Sequence, residues 1–136
     1  MKDLDILALT ENLPQVLEFI DQQLEEHNCP MKILSQIDLA VEEIFVNIAS
    51  YAYNPKVGPA TIRTEVIDNP LSVVISFIDN GVQYDPLAKP DPNVKLSADE
   101  RPIGGLGIFL AKKTMDDINY EYKDGQNILT IKKMII

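Results

Sequence analysis

Cysteine and histidine occur once each, as Cys29 and His27. A single thiol cannot form an internal disulfide, which favours a reducing compartment, and one ligand of each kind is too few for a zinc site. Basic residues are scarce as well: 12 Lys and Arg stand against 21 Asp and Glu, giving a formal charge of -9. A duplex or an anionic lipid surface would repel such a chain, so nucleic acid and membranes start as poor partners and a protein partner is expected to be basic. No apolar run approaches the roughly 20 residues that span a bilayer. The opening MKDLDILALTENLP lacks the basic and apolar regions of a secretory signal. Linkers, repeats and low-complexity tracts are missing too. These absences leave a soluble, cytoplasmic protein as the expectation.

What is present fits one domain spanning 1–136. A hydrophobic share of 46% with 24% charged residues is globular, and a chain of this size can bury roughly two-thirds of its unfolded surface. Residues 4–10 read as a short strand. A helical stretch opens at Glu11–Asn12 and Pro14 and ends near His27–Asn28, because Pro30 disfavours helix at Cys29. The longest helical pattern covers 31–53, with Ile33, Leu34, Ile37, Val41, Ile44, Phe45, Ile48 and Ala52 on one stripe. Two strands, 60–68 and 71–79, meet at Asn69-Pro70. The polar segment 85–102 holds four prolines and reads as a long loop of the kind that serves as a lid, the lid reaching to about 103. A glycine-rich helix start follows, then a hairpin turning at Asp124-Gly125. This order predicts an α/β two-layer sandwich, with a single mixed, largely antiparallel sheet and helices on one face.

Three places carry chemistry. On the long helix, Glu43 and Asn47 are one turn apart and only about 40° apart in projection, whereas Glu42 points about 100° away toward solvent. A half-sheltered carboxylate and amide suit a base and a Mg²⁺ ligand; an ordinary polar helix edge is the alternative. Second, Asp79 falls in phase with Leu71, Val73, Ile75 and Phe77, which puts a carboxylate at the core edge, where it needs a hydrogen-bond partner. Asn80-Gly81 lets the chain turn beside it; a plain Asp-Asn-Gly turn is the alternative, although that leaves the long loop unexplained. Third, Gly104, Gly105 and Gly107 precede an apolar helix, where free N–H groups and the helix dipole make a phosphate cradle. A purely structural use of these glycines stays open. No G-K-[ST] follows, which excludes a P-loop, and Leu110 stands where a dinucleotide fingerprint needs glycine.

Their order is more specific than any one of them. A Glu/Asn helix, an Asp-x-Gly strand end, a proline-rich lid and a Gly-Gly-x-Gly helix start resemble the ATP-binding fold of gyrase-type topoisomerases, histidine kinases and mismatch-repair ATPases. Within that superfamily the chain is most similar to the short bacterial anti-sigma factor serine/threonine kinases. AVEEIFVNIASYAY, IDNGVQYDP and RPIGGLGIFLAKKTMDDINYEYKDGQNILTIKK carry the likeness, from about Ile33 to Lys133. The resemblance implies a histidine-kinase-like ATPase fold that binds ATP and Mg²⁺. It implies Glu43 as general base, Asn47 on Mg²⁺, and Asp79 accepting from the adenine amino group with Gly81 giving the ring room. Gly104, Gly105 and Gly107 would line the phosphates, Arg101 would meet the γ-phosphate, and Thr130 would lie near Asp79. Tyr51 replaces the His of many relatives, Tyr84 the usual Phe, and Gln83 a second glycine; these departures leave the ATP site intact and bear on partner specificity.

The function implied is an ATP-dependent serine/threonine kinase that phosphorylates an anti-sigma-factor antagonist protein and otherwise sequesters a sigma factor, with room for a homodimer. A non-catalytic module of the same fold, in which ATP only sets the lid, is the rival. The catalytic half of a histidine kinase fits less well, since no helical hairpin bearing a phosphoacceptor histidine is present. A metal or redox role for Cys29 is weaker still.

Overall fold

The computed structural model describes residues 1–88 and 105–135. The chain runs β1 (Lys2–Leu7), α1 (Leu13–Glu26), α2 (Met31–Tyr51), β2 (Pro59–Ile67), β3 (Ser72–Asp79), α3 (Gly105–Thr114), β4 (Asp117–Lys123) and β5 (Gln126–Met134), with short 3-10 turns at Thr10–Asn12 and Pro86–Ala88. The five strands form one sheet in the order β1-β2-β3-β5-β4. All four pairings are antiparallel, so the mixed sheet left open by the sequence resolves to an antiparallel one.

The first strand lies earlier than the expected 4–10. Asn12 donates from its backbone N–H to the Leu9 carbonyl (2.9 Å) and from its side chain to Leu7 O (3.0 Å), which ends the strand and turns the chain into α1. That helix stops through a left-handed residue, Asn28, at φ 56°. The N–H groups of Asn28 and Cys29 then close back onto the carbonyls of Glu25 and Leu24, satisfying the last turn before Pro30. At the other end of the chain, Asp124 and Gly125 both take positive φ (53° and 78°), as a two-residue hairpin requires.

The three helices cover one face of the sheet. From α1 come Val16, Ile20 and Leu24, and from α2 Ile37, Val41, Ile44 and Phe45, all fully buried. They meet alternate sheet residues Ile62, Ile75, Phe77 and Ile131, also fully buried. One polar pair interrupts this layer: Thr64 donates to the Gln23 side chain at 2.6 Å, and Gln23 donates to Phe19 O at 3.1 Å. Among the described residues no helix is long and apolar enough to cross a membrane. The core therefore ends where α2 runs past the tip of β3. There the buried alternation of β3 stops at a carboxylate.

Candidate functional site

That carboxylate is Asp79, only 4% exposed. Strand parity places it on the inner face in register with Asn127 of β5. Its Oδ1 accepts two hydrogen bonds of 2.9 Å, from the Gly81 N–H and from the Asn127 amide. Among the described residues its Oδ2 receives none, and Asp79 lines a pocket open to solvent. The remaining wall is mostly apolar: Ile44 and Ile48 from α2, Phe77 from β3 and Leu129 from β5. A pocket with apolar walls and one convergent acceptor suits a flat, largely apolar ligand carrying a hydrogen-bond donor.

The turn after Asp79 is held against the end of α2. The backbone N–H of Val82 donates to Ala52 O at 2.9 Å. A Cβ on Gly81 would lie 2.2 Å from that same carbonyl oxygen, so only glycine lets the turn approach. Tyr53 braces it from behind, accepting from the Asn80 N–H (2.8 Å) and donating to Pro59 O (2.6 Å). Burial pushes the Tyr53 hydroxyl above its ordinary pKa.

On α2, Asn47 lines the cavity and Tyr51 stands one turn further along the same wall. Glu43, one turn earlier, is half-buried, whereas Glu42 is exposed, as the helical spacing requires. Burial, and less strongly the charge of Glu42, raise the Glu43 pKa above the usual carboxylate value. Gly107 of α3 lies against this side chain: a Cβ there would fall 1.8 Å from the Glu43 carboxyl carbon. The absence of a side chain at 107 is what lets α3 and the Glu43 carboxyl share this space.

Three expectations change. Thr130 is out of phase with Asp79; it lies on the uncovered face, where its hydroxyl meets that of Ser76 at 3.1 Å. Asn127, three residues earlier and on the inner face, holds the place expected for it. The glycine segment is not wholly a loop before the helix, because Gly105 opens α3 and Gly107 falls within its first turn. First-turn N–H groups have no intrahelical acceptor, so both positions keep the donors that an anion needs. Finally, Tyr51 and Tyr84 are cavity residues rather than marks of partner specificity alone. All five tyrosines collect at this end: Tyr120 is on the wall as well, and Tyr122 pairs with Asn127 across the hairpin. Arg101, Gly104 and the lid from residue 89 onward lie outside the described residues. The sequence reading missed Asn127 and Tyr53; counting by twos back from Ile131 and Leu129 would have found the former.

A family model described as the histidine kinase-like ATPase domain matches residues 6–133. The chain belongs to that family. Among curated proteins it is 33% identical over 95 residues to the serine/threonine-protein kinase BtrW of Bordetella bronchiseptica, covering 70% of this chain and 66% of that one. It is 29% identical over 103 residues to the serine-protein kinase RsbW of Bacillus cereus, covering 73% and 63%. Both matches thus take in just under two-thirds of the relative's own length. Of solved structures, the RsbU and RsbW domains of a Mycobacterium tuberculosis protein superpose with a TM-score of 0.68 at 16% identity, over 99% of this chain and 33% of that one. The histidine kinase domain of an Erythrobacter litoralis blue-light-activated kinase gives 0.54 at 15% identity, over 78% and 46%. These two likenesses establish the shared fold.

Proposed function

We propose that the chain is an ATP-dependent serine/threonine protein kinase of the cytoplasm that phosphorylates an anti-sigma-factor antagonist protein and sequesters a sigma factor. The observation that carries the nucleotide part is the buried Asp79, with one oxygen held by protein and the other left to the cavity. The 6-amino group of adenine is the donor that such an acceptor fits. Kinase activity is supported by the family and by the printed names of the BtrW and RsbW relatives. Antagonist and sigma factor follow from the motif resemblance.

In this reading adenine enters between the α2 wall and the β3–β5 ladder, and the phosphates run toward α2 and the first turn of α3. There the N–H groups of Gly105 and Gly107 meet negative charge, with Gly104 and Arg101 assigned to the same task. The raised basicity of Glu43 suits a general base, which works best with a pKa near the operating pH. Glu43 takes the proton of the substrate hydroxyl as that oxygen forms its bond to the γ-phosphorus, and ADP leaves with the electrons of the broken bond. The donors present fit Mg²⁺: Asn47 supplies one side-chain oxygen at the cavity, and the described residues hold no cluster of three acidic, His or Cys ligands. That set suits a cation that keeps its waters and relies on substrate phosphates. When bound, Mg²⁺ would neutralise phosphate charge.

The deciding experiment is incubation with labelled ATP, Mg²⁺ and candidate antagonist proteins. Phosphoserine or phosphothreonine on an antagonist is the expected result. ATP binding without transfer to any of them would overturn the kinase reading and leave a partner-capture module.

A further inference from the structure

Asn127 makes more contacts than its place in a strand requires. It is 6% exposed, and both ends of its amide are occupied. The NH₂ donates to Asp79 Oδ1 (2.9 Å) and Val82 O (2.9 Å), with Gly81 O at 3.5 Å. The oxygen accepts from the Tyr84 N–H (3.1 Å) and from the Tyr120 hydroxyl. Two donors and two lone pairs are an amide's full capacity. Turned by 180°, the same group would set its oxygen against a carboxylate and two carbonyls, and its NH₂ against an N–H. The neighbours therefore allow only one orientation, in which a donor faces Asp79.

We propose that Asn127 is a positioning residue that gives this chain its base selectivity, by holding Asp79 Oδ1 so that the other carboxylate oxygen meets the ligand as an acceptor. This rests on the reading of the cavity as an adenine site. A fixed acceptor favours a ring amine and rejects a ring carbonyl, so ATP is selected over GTP. Without the amide, only the Gly81 N–H still holds Oδ1, so the Asp79 carboxylate gains freedom about its terminal torsion, which is broad and roughly two-fold, and its alignment with the ring edge loosens. The same amide also ties Val82 and Tyr84 to β5 and so fixes the segment leading away from the carboxylate.

The test is the ratio of GTP to ATP dissociation constants, measured by calorimetry on the full chain. A purely structural role would weaken both nucleotides alike and leave the ratio unchanged. Asn127→Ala should reduce the ATP preference by about tenfold, the loss of one hydrogen bond to a charged group. Asn127→Thr, whose hydroxyl can donate and whose shape suits a strand, should recover part of it and serves as the second variant if the alanine protein does not fold. An unchanged ratio in a folded Asn127→Ala or Asn127→Thr protein would overturn the proposal. Asp79→Asn separates the two levels. Loss of preference in Asp79→Asn with full preference in the folded Asn127 variants keeps the adenine site and rejects the positioning role. No preference in the unsubstituted protein removes the adenine reading and the proposal together.

Discussion

Asp79, Asn47 and Glu43 differ in what surrounds them, and each should respond differently to loss of its side chain. Asp79→Asn exchanges an acceptor-only carboxylate for an amide and should lower ATP affinity by about 1.5–3 kcal/mol, or roughly ten- to a hundredfold, in calorimetry. Asn47→Ala should erase the gain in ATP affinity that Mg²⁺ gives, with circular dichroism unchanged. Glu43→Gln keeps the shape but removes the carboxylate proposed as the base; ATP affinity should hold while phosphotransfer falls by about a hundredfold or more. Glu42→Gln, on the exposed face, should alter neither. The two positions on α2 were legible because four residues make slightly more than a turn, and Asp79 because strands alternate. Thr130 was assigned by likeness to relatives, and that same alternation puts it outside. Asn127 escaped because a lone Asn next to a hairpin looks like turn chemistry; strand alternation puts it on the inner face, and the pairing with β3 adds that its neighbour there is Asp79.

Among elements, two glycines show how the same missing side chain serves different ends. At Gly81 the obstacle to a Cβ is the Ala52 carbonyl, part of the backbone that ends α2. Gly81→Ala must shift the turn or the helix end, and should destabilise by about 1–3 kcal/mol in urea titration while weakening ATP binding. At Gly107 the obstacle is the far end of a flexible Glu43 side chain. Gly107→Ala should thus unfold at nearly the same urea concentration yet lose phosphotransfer, because the carboxylate we propose as the general base has been pushed aside. Equal loss of stability in both would refute this distinction. The existence of every helix and strand could be read from periodicity. Their ends could not, because they depend on closures such as Asn12 onto Leu7 and Cys29 onto Leu24, which no pattern of apolar residues encodes.

For the whole molecule, pH acts through a carboxyl pair between α1 and α2. Burial first, then the hydrogen bond and charge of Asp21, push the Asp38 pKa up to about 8 from an unfolded value of 3.8. One oxygen of each, Asp21 Oδ1 and Asp38 Oδ1, is buried without a partner among the described residues. Between these two pKa values the folded chain keeps a proton that the unfolded chain has released. The stabilisation is complete below about pH 4 and is lost as pH rises through 8. Thermal midpoints should fall from pH 5.5 to 8.5. Asp38→Asn should flatten that slope and raise the midpoint at the alkaline end. The salt bridge from Arg63 lowers the Asp3 pKa; it is present throughout this window and is lost only in acid, as Asp3 takes up a proton, so it adds no slope here.

The central position of the β3–β5 pair also orders events in time. Asp79 and Asn127 are 48 residues apart in sequence, and the chain that joins them, α3 and β4 included, forms a long closure before they can meet. Long closures of this kind are slow to form, since chain entropy is lost before any contact compensates for it. The hairpins β2–β3 and β4–β5 can assemble locally, each without the other, but neither contains a working base pocket. Competence to hold ATP therefore arises with the last cooperative step of folding, and in a refolding experiment the appearance of nucleotide binding should coincide with the slowest protein phase rather than precede it.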